Sequence, residues 1–149
     1  QMYYGTEIMM GGEKSKGDGD IRRDFPGGWA GDEKNAFTAA GRTKEQNEVF
    51  DFVRTLLNWR KNNPVIHTGA MKHFIPENGV YVYFRYNADK KVMVVLNSAD
   101  GEPKTLDMKR FAEVLGDSDS GVDVISGKKY TGLQQALTVP AKSVLILEL

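Results

Sequence analysis

The chain contains no cysteine, which removes a disulfide framework and a thiolate metal site and leaves the redox compartment open. It has no excess of either charge, because 20 Lys and Arg face 20 Asp and Glu. Without a net positive field, binding to nucleic acid or to an anionic membrane surface drops down the order of explanations. No run approaches the roughly 20 apolar residues of a membrane span, and the start shows no basic segment leading into an apolar one. Histidine is scarce as well. His67 and His73 have neither metal-ligand spacing nor a paired base, and they read as surface or strand residues. No cofactor and no metal site is expected.

What is present is enough for one good core, or for one domain and part of another, in 149 residues. Met2 to Tyr4 reads as the end of a buried strand that breaks at Gly5. A strand with no preceding partner predicts further sequence upstream. From Gly11 to Gly41 neither the period of a strand nor that of a helix survives, and glycine recurs at 11, 12, 17, 19, 27, 28, 31 and 41. A connection of that length, against the usual roughly 4–6 residues, is either functional or disordered. Phe25, Trp29 and Phe37 decide for function, since disordered linkers are poor in aromatics. The centre of this loop is DGDIRRDFPGGW, residues 18 to 29.

Regularity returns at Thr43, where TKEQ has the capping-box spacing with Thr43 and Gln46 reciprocal. Val49, Phe52, Val53, Leu56 and Arg60 then follow helical spacing, and Phe50, Leu57 and Trp59 widen the apolar stripe. Phe52 and Trp59 read as core. The helix runs about five turns and ends near Asn62-Asn63-Pro64, because proline pushes the residue before it out of helical angles.

Beyond Pro64 the period changes to two. Residues 80–87 and 91–98 form a hairpin, and Lys72–Ile75, Lys104–Asp107, Val122–Ile125, Ala136–Val139 and Val144–Leu149 are further strands. Turn signals at 101–103, 117–121, 126–129 and 140–142 separate them, and residues 111–115 give one helical turn. Short strands at this spacing predict an antiparallel β-sandwich over 65–149, preceded by a loop-and-helix region over 1–64.

Several acidic groups invite a chemical reading. Asp18 and Asp20 as a catalytic pair would need carboxyls about 5–5.5 Å apart, held rigidly, with one made a weaker acid by burial, and a glycine-flanked loop promises neither. DGDIR begins like a calcium loop but puts Arg22 where an oxygen ligand is required, and DSDSG at 117–121 lacks a closing glutamate. Tyr81 and Tyr83 share one strand face and, with Tyr86, suggest a sugar platform, for which half-buried sandwich packing is the plainer explanation.

These stretches carry a resemblance. QMYYGTEI is similar to the strand-end signature that closes the eighth strand of the (β/α)8 barrel in the α-amylase family of glycoside hydrolases. LLNWRKNNPVIHTG, residues 56–69, resembles that family's last barrel helix running into its C-terminal domain. VYVYFRYNADKKVMVVLNSAD and KSVLILEL resemble the strands of that domain. The fold class implied is mainly β with one long helix: the end of a barrel strand, a loop and the last barrel helix over 1–64, then the C-terminal β-sandwich over 65–149. In the neopullulanase and cyclomaltodextrinase branch a loop of the form D-x-[DE]-x-R follows the eighth strand, and Asp18-Gly19-Asp20-Ile21-Arg22 fits it. The sequence departs from the branch at RDFPGGW, after Arg22.

By that resemblance Asp18 and Arg22 contact a glucose unit on the non-reducing side of the bond being cut. A carboxylate can accept from two neighbouring sugar hydroxyls, and a guanidinium fork can donate to ring and hydroxyl oxygens. Trp29 or Phe25 would offer an apolar face to the sugar's C–H groups. The family's aspartate nucleophile, glutamate acid/base and second aspartate sit on earlier barrel strands, so no catalytic residue is expected in this chain. The implied parent is a retaining hydrolase of starch, maltooligosaccharide or pullulan, periplasmic or extracellular, and the implied partners are an α-glucan and an N-terminal barrel. The alternative is an autonomous β-sandwich carbohydrate-binding module without catalysis.

Overall fold

The alternation that begins at residue 70 becomes eight strands: β1 (Ala70–Glu77), β2 (Val80–Tyr86), β3 (Lys91–Asn97), β4 (Lys104–Asp107), β5 (Ser120–Asp123), β6 (Lys129–Thr131), β7 (Ala136–Val139) and β8 (Ser143–Glu148). The structure, a computed structural model, describes residues 2–149. It divides into two compact units, one ending at Leu57 and one beginning at Asn58.

In the second unit a six-stranded antiparallel sheet has the order β1-β2-β3-β8-β5-β6, and β4 pairs with β7 in a separate two-stranded sheet. Because strand side chains alternate between faces, Val80, Val82 and Phe84 of β2, Met93 and Val95 of β3, and Leu145 and Leu147 of β8 turn to one side. They meet Leu137 and Val139 of β7 together with Met108, Phe111, Leu115 and Leu133. Two sheets closed on one apolar filling make the β-sandwich, and the chain is mainly β with one long helix. Asn78 and Gly79, with φ of 51° and 80°, turn β1 into β2 as a positive-φ pair requires. Pro76 sits where the β1–β2 register shifts, between Phe74 and Glu77, on an edge strand that tolerates its missing N–H.

Several strand bounds differ from the expectation: β1, expected at Lys72–Ile75, runs Ala70–Glu77, and β8, expected at Val144–Leu149, runs Ser143–Glu148. The strand expected at Val122–Ile125 lies at Ser120–Asp123, because Asp123 accepts from the N–H and hydroxyl of Ser126 at 2.9 and 2.6 Å and so folds residues 123–126 into a turn. β6, which was not expected, begins at Lys129, the last residue of the turn read at 126–129, and its three residues are too few to show alternation.

The first unit contains a short helix, α1 (Asp18–Ile21), and single 3-10 turns at Thr6–Ile8, Lys14–Lys16 and Ala39–Gly41. The buried strand expected at Met2–Tyr4 is not formed: these residues are irregular and then turn, with Tyr3 57% exposed. A strand needs a hydrogen-bonding neighbour, and among the described residues none lies beside this one. The long helix α2 (Lys44–Lys61) opens with the expected reciprocal cap. The Thr43 N–H donates to Gln46 Oε1 at 2.9 Å, and the Gln46 N–H donates to Thr43 Oγ1 at 3.2 Å. Pro64 then starts the short α3 (Pro64–Thr68) at its first turn, where a missing N–H is harmless. Neither Phe52 nor Trp59 is core: Phe52 is exposed, and Trp59 is half-buried with its indole N–H donating to Glu148 Oε1 at 2.8 Å.

Candidate functional site

Gly17, at φ 97°, bends the chain so that Asp18 opens α1, and one helical turn sets Asp18 and Arg22 on the same side. Arg22 lies 3.5 Å from Asp18 Oδ2, and Lys14 pairs with the other carboxylate oxygen. Both side chains are more than half exposed, 52% for Asp18 and 61% for Arg22.

Their neighbours do different work. The carboxylate of Asp20 accepts the Glu13 N–H at 2.5 Å. Arg23 donates through Nε to the Asp20 carbonyl at 2.9 Å and through its terminal nitrogen to the Gly11 carbonyl. A Cβ on Gly12 would fall 2.2 Å from the Asp20 carbonyl oxygen, so only glycine permits this approach. The acid and arginine doublets thus split into a pair bonded to backbone, Asp20 and Arg23, that ties the loop to itself, and a pair, Asp18 and Arg22, whose charged groups meet each other and, for Asp18, Lys14.

Trp29 stands on the next turn, 67% exposed. Asp32 holds that turn by accepting from the Gly27 and Trp29 N–H groups at 2.7 and 3.2 Å, and the Ala36 N–H closes it onto the Pro26 carbonyl at 2.9 Å. Phe25 points elsewhere, against Phe37, with ring centroids 4.7 Å apart. The structure therefore brings Asp18 and Arg22 together and leaves Trp29 on a separate turn. Among the described residues no hydrogen bond or ion pair joins Trp29 to either.

Sequence reasoning missed Arg42. It donates to the Ala36 carbonyl at 2.8 Å and to Asn47 Oδ1 at 2.9 Å, and it stacks 3.8 Å above the Phe50 ring. With Pro26, Asn35, Thr43 and Gln46 it lines a cavity of about 410 Å³. A single arginine ahead of a cap carries no periodic signal, so nothing in the sequence marked it.

In the sandwich unit Tyr81 and Tyr83 do share a face, with rings 5.7 Å apart, and His73 meets Tyr81 edge-on at 6.2 Å. Desolvation is the main cause that raises the Tyr83 phenol above its ordinary pKa, with the neighbouring Tyr81 adding to it. Tyr86 packs on the core instead. His67 bonds the Arg60 carbonyl at 2.8 Å. Asp119 of the DSDSG turn accepts the Gln134 N–H at 3.1 Å. Both have structural partners.

Comparison with known proteins agrees with this architecture. An amylopullulanase of Thermoanaerobacterium saccharolyticum is 29% identical over 161 residues, covering 98% of this chain and 11% of the relative. An amylopullulanase of Thermoanaerobacter thermohydrosulfuricus is 27% identical over 141 residues, covering 87% and 8%. The chain therefore spans about a tenth of the length of these curated relatives. The crystal structure of an Anoxybacillus α-amylase matches 99% of this chain, and 28% of its own, with a TM-score of 0.69 at 20% identity. The α-amylase of Geobacillus thermoleovorans in complex with acarbose matches the same shares with a TM-score of 0.68 at 18% identity. At such identities the likeness is one of fold. Residues 71–148 match the family described as the cyclo-malto-dextrinase C-terminal domain, and with that match over more than half of its length the chain belongs to this family.

Proposed function

We propose that this chain is the C-terminal portion of an α-amylase-family glycoside hydrolase that cleaves starch, maltooligosaccharide or pullulan with retention. In this reading the loop over 11–41 supplies substrate contacts and the sandwich braces a catalytic barrel. The loop-and-helix region over 1–64 belongs to that barrel, and the chain by itself does not hydrolyse glucan. The observation that carries the substrate role is the exposed Asp18–Arg22 pair at 3.5 Å on a loop already tied by Asp20 and Arg23. An ordered carboxylate and guanidinium facing water need no large rearrangement to exchange each other for sugar hydroxyls. Trp29, its backbone held by Asp32, would stack on the apolar face of a pyranose. The acarbose complex of the Geobacillus thermoleovorans α-amylase and the family match lend support to an α-glucan as the ligand.

In the parent enzyme, Asp18→Ala and Arg22→Ala should each lower kcat/KM on maltooligosaccharides about tenfold to a hundredfold, the value of hydrogen bonds to a charged group. Short substrates that do not reach the outer contacts should be affected less. Rates unchanged at every chain length would remove these residues from the substrate path.

A further inference from the structure

The mouth of the sandwich holds a cavity of about 300 Å³ lined by Glu77, Asn78, Val80, Val82, Phe111, Arg110 and the whole of β4. That volume stands at the lower end of the roughly 300–1,000 Å³ of small-molecule sites. All four β4 residues line it, Lys104 and Leu106 half-buried, Thr105 and Asp107 exposed. Successive residues line one cavity when it runs along the edge of the strand rather than over one face; the Thr105 hydroxyl itself lies 3.0 Å from that of Thr138 on β7. β4 pairs with β7 alone, so its other edge presents unpaired N–H and C=O groups there.

The rim is ordered and electrically balanced. Arg110 is clamped by Glu77 at 2.8 Å and by the Ile75 carbonyl at 2.7 Å, through the same terminal nitrogen, which leaves its other guanidinium N–H groups for a ligand. Asp107 uses Oδ1 to cap the Lys109 N–H at 3.0 Å and keeps its second oxygen free of that bond. Lys104 and Arg110 offset Glu77 and Asp107, so a simple anion or cation entering the cavity meets a like charge as well as an opposite one. Leu106, Val80, Val82 and Phe111 close the bottom with apolar surface. Donors and acceptors around an apolar floor, with no net charge, match a neutral polyhydroxylated ring: hydroxyls to the rim, a C–H face to the floor.

We propose that this cavity is a second saccharide site, taking one or two pyranose units of an α-glucan independently of the loop that carries Asp18 and Arg22. The choice of α-glucan rests on the functional reading above; the choice of a neutral sugar rests on the cavity alone. A millimolar site of this kind would hold a polymer near the enzyme by raising its local concentration.

The test is titration of the chain with maltotriose, followed by amide chemical shifts. Thr105, Leu106, Asp107 and Arg110 should move together at millimolar sugar. Lys104→Glu, which unbalances the rim, and Arg110→Lys, which keeps charge but loses the fork, should each weaken binding at least about fivefold. Lys90→Met, in the β2–β3 turn, should leave it unchanged. Silence of these amides to maltotriose, glucose and cellotriose, in a folded chain whose parent cleaves α-glucan, overturns the site and spares the functional reading. A response here with a parent inert on α-glucans overturns the functional reading and spares a sugar site. Response of β4 to an extended peptide but to no sugar assigns the edge to strand addition and overturns the proposal.

Discussion

The two units keep their shape by opposite means. Up to Leu57 the only buried apolar residues among those described are Ile8 and Ala36, whereas from Asn58 onward there are eighteen, among them Phe84, Met93, Phe111 and Leu147. The first unit is held instead by side chains bonding to backbone: Asp20, Arg23, Asp32, Asn35 and Arg42 each close a turn on a named N–H or C=O. Area burial is non-directional and tolerant, while a hydrogen-bonded turn is local and specific. A sandwich made the first way is a stable base, and a loop made the second way can display a particular pair of side chains without a core beneath it.

The comparison is most sharply tested by deleting core. Phe84 is fully buried and meets the rings of Phe74 and Phe111 at 6.0 and 6.3 Å. Phe84→Ala should destabilise the sandwich by about 3–5 kcal/mol, from lost transfer energy and the cavity left behind. Trp29→Ala, removing a residue of similar bulk from the exposed loop, should change stability by less than about 0.5 kcal/mol. Urea unfolding of the two variants measures both. A large loss for Trp29→Ala would show that the loop depends on apolar burial after all.

A smaller effect, confined to the loop, should follow from Gly12→Ala. The new methyl would collide with the Asp20 carbonyl, and a backbone atom cannot step aside as a flexible side chain can. The expected cost is about 1–3 kcal/mol, typical of overpacking, appearing as faster amide exchange over residues 13–22 with unchanged protection in β2, β3 and β8. Lost protection in those strands would mean that the loop and the sandwich unfold as one body.

The same contrast explains what was legible in the sequence. β2 and β3 are rich in β-branched and aromatic residues around a turn, which is what reveals them, and they pair in a seven-residue register from Val80↔Asn97 to Tyr86↔Lys91; burial alternates along β2 but is continuous over Val92–Val95 of β3. The α2 cap is written in two residues three apart and appears as written. Asp18 and Arg22 stood out only through the resemblance of DGDIR to the D-x-[DE]-x-R loop; the short helix that sets them on one side was not legible in a stretch with no helical period. Nor was their separation from Asp20 and Arg23, since which acid bonds to backbone is decided by where Gly11, Gly12 and Glu13 return, a contact between segments several residues apart. Met2–Tyr4 failed for a related reason: an apolar aromatic triplet has strand propensity, but a strand exists only with a partner. The position of β5 was missed because a side-chain bond of Asp123 to Ser126 overrode the β-branched pair Val124 and Ile125.

The smallest expected effect concerns charge at the start of α2. Glu45 lies in the first turn, and its carboxyl is held below its ordinary value of 4.5, chiefly by a bond from its own backbone N–H and next by the Thr43 hydroxyl. A carboxylate at a helix N-terminus also faces the positive end of the peptide dipoles. Because the folded pKa is the lower one, the ionised form favours the folded helix: the contribution is fully present above the unfolded value and disappears as pH falls through the folded one. Glu45→Gln should therefore speed amide exchange over the first turns of α2 at neutral pH, and the difference from the parent chain should shrink below about pH 4. Since the group is fully exposed, salt should narrow the gap as well. A difference that grows on acidification would carry the opposite sign and would mean that Glu45 is strained rather than stabilised at the cap. In that case Thr43 and Gln46 would be holding the helix start against its own charge, and the local, bond-by-bond account of the first unit would fail at the one place where the sequence states it most plainly.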